Sequence, residues 1–189
     1  MLAGGIGPAL PAGAVCPVCG GELGRWGRRG YRRFVRAGGE TTVLWVLRGV
    51  CRSCGATHAL LPSFLHPRRR DLVEAIGAAL VGSVAGRGYR GLAVCLGVPE
   101  TTVRDWLRRL RRRAGLLCAC FLRLTGLFGV EAPRPPPGDG PLAWLLAAIA
   151  EAYRAARVRL GAGAVAGGLW AFASAACGGT LLAYTDPPW

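Results

Sequence analysis

Cys16-Pro17-Val18-Cys19-Gly20 and Cys51-Arg52-Ser53-Cys54-Gly55 are two C-x-x-C hooks with 31 residues between Cys19 and Cys51. Each hook presents two sulfurs from one tight turn, and two hooks at this separation supply the four thiolates that close a tetrahedral Zn²⁺ site. Gly20 and Gly55 stand where the chain must fold back under the ion. Both are expected at positive φ, a conformation that costs a residue with a Cβ more than it costs glycine. An ion held by four sulfurs keeps no position for water, so the zinc is expected to be structural. The same cysteines have other readings. A thioredoxin-like redox pair needs a single C-x-x-C before a helix in a βαβ unit, and two disulfides need an oxidising compartment. Neither context is visible. His58 and His66 are near enough in sequence to compete as ligands, but with four thiolates present both are expected in loops or at the surface.

Between the hooks, Tyr31–Arg36 and Thr41–Val50 read as two strands joined through Gly38-Gly39, a dipeptide suited to a tight hairpin turn. Val43, Trp45 and Leu47 alternate with Leu44, Val46 and Arg48, so one face of the second strand can cover the metal site. The expectation is a zinc ribbon, a small sheet dependent on its ion. Arg25, Arg28, Arg29, Arg32, Arg33 and Arg36 lie on and before the first strand, as either a solvated face or a phosphate contact.

The formal charge of +14 is unevenly placed. Residues 16–70 carry eleven Arg against Glu22 and Glu40, residues 71–125 carry nine against four acids, and residues 126–189 balance four against four. All 24 basic residues are Arg. A coding bias accounts for Arg over Lys but not for the clustering, which points to a polyanion, nucleic acid being the commonest. Residues 1–14 have no basic n-region and are broken by Gly and Pro, so they do not read as a secretory signal. Leu160–Thr185 is free of charge for 26 residues, but eight are Ala and six are Gly, which drive insertion weakly. A membrane is therefore not expected as a partner.

Asp71 is expected to open a helix running to about Ala85, with Leu72, Ile76, Ala79, Leu80 and Val84 on its inner face. From Tyr89 onward the spacing is that of a helix-turn-helix. Leu92, Ala93 and Leu96 give the first helix a buried face, Gly97 supplies the turn, and Pro99 can start the second helix. Val103, Trp106, Leu107 and Leu110 form that helix's apolar stripe. At 100° per residue, Thr101, Arg104, Asp105, Arg108, Arg111 and Arg112 fall on the opposite side, the side expected to enter the major groove, so Asp105 is counted with the DNA-binding residues. In this motif the N-terminal part of the second helix meets base edges while later basic residues reach phosphates. Thr101, Arg104 and Arg108 are thus assigned to bases, Arg104 by the paired contact guanine favours, and Arg90, Arg111, Arg112 and Arg113 to the DNA backbone.

The stripe continues through Ala114, Leu117, Phe121, Leu124 and Phe128, with Gly115 as its weak point, so the recognition helix is expected to reach about residue 128. Its far half either packs within the chain or forms the seam of a homodimer. Cys95, Cys118, Cys120 and Cys177 are read as small core residues. Beyond a stiff linker containing Pro135-Pro136-Pro137, one helix is expected over Leu142–Leu160 and another over Leu169–Cys177, stopped by Gly178-Gly179. The expected organisation is a flexible tail (1–15), zinc ribbon (16–67), helix-turn-helix with extended recognition helix (68–128), Pro-rich linker (129–141) and C-terminal helical segment (142–189). The fold class is mostly α with a small N-terminal β element.

The order zinc ribbon then helix-turn-helix resembles the N-terminal DNA-binding module of bacterial insertion-sequence transposases and their accessory proteins. Cys51–Leu65 and Leu96–Leu107 are similar to an uncharacterised bacterial zinc-ribbon, helix-turn-helix family of about this length. The resemblance covers residues 16 to about 128. It implies DNA binding and a link to mobile elements, and no more. With no signal legible, the expected setting is the bacterial cytoplasm, at the nucleoid, with double-stranded DNA as partner and transposition or transcription as the role. Catalysis is not expected: metal-dependent strand cleavage needs converging carboxylates, and this chain has only ten acids and no strand-rich region after residue 50. A protein-binding adaptor, an accessory subunit of a transposase or other DNA-processing enzyme, is the other reading.

Overall fold

The computed structural model describes residues 10, 13–27, 31–37, 40–131, 140–165 and 167–183. The chain divides into two compact units, Met1–Val35 with Thr41–Pro62, and Arg36–Glu40 with Ser63–Trp189. A small antiparallel sheet lies at the N-terminal end and helices make up the rest, a mostly α protein with a small β element. The 1–15 tail, the Gly38-Gly39 turn and the Pro-rich linker fall wholly or mainly outside the described residues.

In the first unit the sheet is organised around β3 (Glu40–Cys51), whose alternating β-branched and aromatic residues suit a pleated strand. It neighbours β1 (Leu23–Arg25) and β2 (Tyr31–Ala37), and also pairs with β4 (Thr57–Leu60). Leu23 stands opposite Cys51, and Gly49 opposite both Arg25 and His58. Val46 is buried, while Val43 and Trp45, on the other side of the pleat, are about half exposed at 42% and 51%. Neither β1 nor β4 was expected. They have three and four residues and exist because β3 offers each an edge.

The second unit starts with α1 (Val73–Val84). Its N-cap is Leu72 rather than an acid, because the Asp71 carboxylate is turned to Arg36, whose Nε lies 2.9 Å from Oδ1. Burial pushes the Asp71 carboxyl above its ordinary range even against the nearby Arg36 charge. Ile76, Ala79 and Leu80 face inward as expected, whereas Val84 is exposed in the last turn. α2 (Tyr89–Leu96) ends at Gly97, which adopts the left-handed conformation (φ 62°, ψ 35°) that makes the sharp turn. Pro99 is the N-cap of α3 (Glu100–Leu127) rather than its first helical residue, and its carbonyl accepts the Thr102 amide at 2.9 Å.

The 28 residues of α3 span about 42 Å. Leu110, Ala114, Leu117 and Phe121, in its far half, are buried in one apolar cluster with Leu142, Leu145, Ile149 and Ala152 of α4 (Pro141–Leu160). That half of the stripe is therefore covered within the chain, not left open as a dimer seam. A 3-10 turn (Ala162–Val165) and α5 (Gly168–Ala176) complete the unit. The cluster runs from Val73 to Leu182, so the C-terminal helices share the core of the helix-turn-helix. α5 approaches α1 so closely that a Cβ on Gly77 would sit 2.1 Å from the Trp170 indole. Cys118, Cys120 and Cys177 are buried, but Cys95 is exposed because α2 turns it away from the core. Among the described residues no helix is long and apolar enough to cross a membrane.

Candidate functional site

Cys16, Cys19, Cys51 and Cys54 bring their four Sγ atoms within 4.8 Å of one another. Cys16 Sγ lies 3.8 Å from Cys54 Sγ, and Cys19 Sγ lies 3.4 Å from Cys51 Sγ. These are too long for disulfides, and all eight cysteines are free. Metal–sulfur bonds of about 2.3 Å in a tetrahedron put S···S edges at about 3.8 Å, so the cluster has the dimensions of a four-thiolate metal site.

The two hooks are built alike. The Gly20 amide donates to the Cys16 carbonyl at 2.8 Å and the Gly55 amide to the Cys51 carbonyl at 3.0 Å. The Cys16 amide donates to the Gly21 carbonyl at 2.7 Å and the Cys51 amide to the Ala56 carbonyl at 2.8 Å. Gly20 and Gly55 both have φ of 73°, the left-handed value expected of them. The first cysteine of each hook is buried and the second exposed, so the four sulfurs span the boundary between the small core and solvent.

Sequence reasoning missed three contributions to this site. The Ser53 and Cys54 amides each lie 3.4 Å from Cys51 Sγ and favour its thiolate. Gly21 lets the hooks close on each other, since a Cβ there would meet Ser53 Oγ at 2.5 Å and Cys51 Sγ at 3.2 Å. His58, carried by β4, places Nε2 3.3 Å from Cys16 Sγ, as a neighbour of a ligand rather than a loop residue. The spacing of glycine directly after a hook glycine was the available signal for Gly21; the nearness of His58 to the second hook was legible, but not that β4 would carry it to Cys16.

The electrostatics follow from four sulfurs in close contact. Hydrogen bonding from the Cys54 amide, opposed by burial and assisted by the Ser53 amide, pulls the Cys51 thiol down to about 6. Cys19 feels the lowering influence of the Gly21 amide, but its contacts with the Cys51 and Cys54 sulfurs push it up to about 12. Without a cation, one anionic sulfur discourages its neighbours from ionising; a bound cation stabilises all four thiolates together.

The other expected site is on α3. Thr101, Arg104, Arg108, Arg111 and Arg112 are exposed, and Arg90 is exposed on α2, its Nε 3.6 Å from Glu100. Two assignments change. Arg113 is buried (8%), because at one turn beyond Arg109 it lies beside the apolar stripe, so it is withdrawn from the backbone-contacting set. Asp105 is committed to arginines of its own chain: Arg109 Nε donates to it at 2.7 Å, Arg108 at 2.8 Å and Arg69 at 3.4 Å. Partial burial raises the Asp105 carboxyl, but the Arg109 and Arg108 hydrogen bonds and the Arg109 and Arg69 charges outweigh it and hold it below its ordinary value. The i,i+4 spacing of Asp105 and Arg109 was the legible signal for this cluster. His66 is buried rather than at the surface: Nε2 accepts the Leu182 amide at 3.0 Å, so Nδ1 carries the proton donated to the Pro67 carbonyl at 2.9 Å.

A family model described as a domain of unknown function (DUF6431) matches residues 16–113, just over half of the chain. The chain belongs to that family. The DUF6431 match begins at the first cysteine, includes both hooks, and ends inside α3 at Arg113, so it contains the cysteine cluster together with Arg104, Arg108, Arg111 and Arg112 of α3. No curated protein and no solved structure matches the chain.

Proposed function

We propose that this DUF6431 protein is a sequence-specific double-stranded DNA-binding protein in which a zinc ion held by Cys16, Cys19, Cys51 and Cys54 is structural. Zinc is the ion best suited to four thiolates at tetrahedral spacing, and with every position taken by sulfur it stabilises the fold without activating water. The observation that carries the DNA reading is the exposed Thr101, Arg104, Arg108, Arg111, Arg112 face on a helix entered through a left-handed glycine turn. In this reading the first turns of α3 enter the major groove. Thr101 and Arg104 meet base edges, Arg108 follows, and Arg90, Arg111 and Arg112 hold phosphates. The order ribbon then helix-turn-helix supports a reading as a transposase-associated or transcriptional DNA binder, acting in the bacterial cytoplasm without a reaction of its own.

The test is selection of duplexes from a random pool by the zinc-loaded protein. A recovered motif is expected, with Arg104→Ala relaxing the preference and Arg112→Ala weakening all sequences alike. Preference surviving Arg104→Ala unchanged would show that the reading face is misassigned. A protein-binding adaptor is the second reading, favoured by the exposed Val43 and Trp45 on the sheet. Capture of no duplex, together with a stable complex with a transposase, would favour it.

A further inference from the structure

The second unit contains a cavity of about 450 Å³ that the DNA reading does not use. Arg68, Arg69, Arg109 and His66 line one side, and the turn after α5 lines the other. Its size is that of a small-ligand site. Three arginines contribute to the wall and, among the described residues, no acid does.

The wall is built rather than incidental. Arg68 has a φ of 60°, the left-handed region that side chains with a Cβ rarely adopt, and this turn brings Arg68 and Arg69 to the cavity together. Opposite them Gly178 and Gly179 have φ of 59° and 73°. The turn presses so close to the arginine segment that a Cβ on Gly179 would meet Pro67 at 3.0 Å. The His66–Leu182 hydrogen bond ties the two sides together, and Arg109 reaches the Leu182 carbonyl at 3.4 Å.

Asp105 joins this cavity to the outer face of α3. Its Oδ2 takes Arg69 and Arg109, both cavity residues, while its Oδ1 takes Arg108, which is half exposed on the proposed DNA face. An anion in the cavity competes with Oδ2 for Arg69 and Arg109. The Asp105 charge released from them would then fall on Arg108 and, on the DNA reading, hold it back from the duplex.

We propose that the cavity binds a small phosphate-bearing ligand, gripped by Arg68, Arg69 and Arg109, and that its occupancy weakens duplex binding through Asp105 and Arg108; the second clause rests on the DNA reading above. Guanidiniums suit this ligand because their forked N–H groups match phosphate oxygens. By linkage, DNA must weaken ligand binding by the same factor.

The experiment titrates inorganic phosphate, then pyrophosphate, into the zinc-loaded full chain without DNA, against chloride at matched ionic strength, and follows heat and melting temperature. Saturable binding is expected for the phosphates and not for chloride, with at least a tenfold loss in Arg68→Gln, whose circular dichroism should match the parent. At saturating pyrophosphate, duplex affinity should fall about fivefold in the parent and not in Arg68→Gln. Absence of saturable binding, or equal binding by Arg68→Gln, overturns the site whatever the DNA result. If Arg68→Gln leaves the phosphates unaffected but cuts duplex affinity, the cavity serves a DNA phosphate and the small-ligand site is overturned. Phosphate binding lost in Arg68→Gln, in a protein that ignores every duplex, upholds the site and overturns the DNA reading and the coupling that depends on it.

Discussion

Around the four cysteines the apolar cluster is Cys16, Leu23 and Cys51, with Ala14, Ala56 and Leu60 partly covered, whereas the helical unit packs Ile76, Leu80, Trp106, Phe121, Leu145 and Ile149 into one core running to Leu182. Ordering a residue's backbone costs about 1–2 kcal/mol, and the cluster at the cysteines offsets it with far less described apolar burial than the helical core does. Under the zinc reading, the hooks then belong to a unit whose fold depends on ligation. The helices form a unit whose fold precedes whatever it binds. On the proposed reading the difference sets where each function lies: among the described residues the four sulfurs meet beside a small apolar cluster, and the arginine face is displayed where a large core fixes the helix beneath it.

Removing the metal should give the largest effect. Structural zinc contributes about 10–16 kcal/mol in small domains, more than this sheet can lose. A chelator is expected to erase hydrogen-exchange protection in β3 while the helical circular dichroism stays near its starting value. Persistent protection of β3 without metal would show that the first unit stands on its own packing and would dissolve the contrast.

Next in size is Gly77→Ala. A methyl group 2.1 Å from the Trp170 indole forces α1 and α5 apart, and overpacking of this kind costs about 1–3 kcal/mol. Denaturant melts should show the loss in the helical transition, with zinc content unchanged. An unaltered helical midpoint would mean that the two helices yield easily there.

Asp105→Asn should cost about 2 kcal/mol at neutral pH, the range for hydrogen bonds to charged groups. Because the folded carboxyl lies below its ordinary value of 3.8, the cluster's contribution is present above that value and is lost as pH falls through the depressed one. The gap between parent and variant should therefore close on acidification. A gap constant from neutral pH to below the carboxylate range would mean that the arginines do not hold this carboxylate.

How much of this could be read from the chain itself depends on how local each feature is. The hooks, the positive φ of Gly20 and Gly55, the Gly97 turn and the α3 stripe are patterns spanning a few residues, and all are found in place. β1 and β4 were missed because three or four residues become strand only when β3 lies alongside. His66 lies in a loop, one of the two places expected for it, but its burial was not legible because the amide bonded to it, Leu182, is 116 residues away. Arg113 was placed outside because charge was given more weight than its position beside the apolar stripe, which buries it.

The smallest expected effect sharpens the comparison from the other side. Gly115 lies inside α3, at no positive φ, and an added Cβ would meet nothing within 4 Å. Gly115→Ala should stabilise the helical unit by about 0.5–1 kcal/mol, measured as a raised midpoint, and leave metal affinity unchanged. A lowered midpoint would mean that the helix needs its glycine for something the core does not reveal.

Duplex DNA titrated with the zinc-loaded protein by fluorescence anisotropy, across about 50–200 mM salt, tests the central claim most directly. Five arginines on and beside α3 predict an affinity that falls with salt at a log–log slope of roughly −3 to −5, made shallower by about 2 in the Arg111→Ala/Arg112→Ala variant. No binding at the lowest salt, or a slope indifferent to those two arginines, would contradict it.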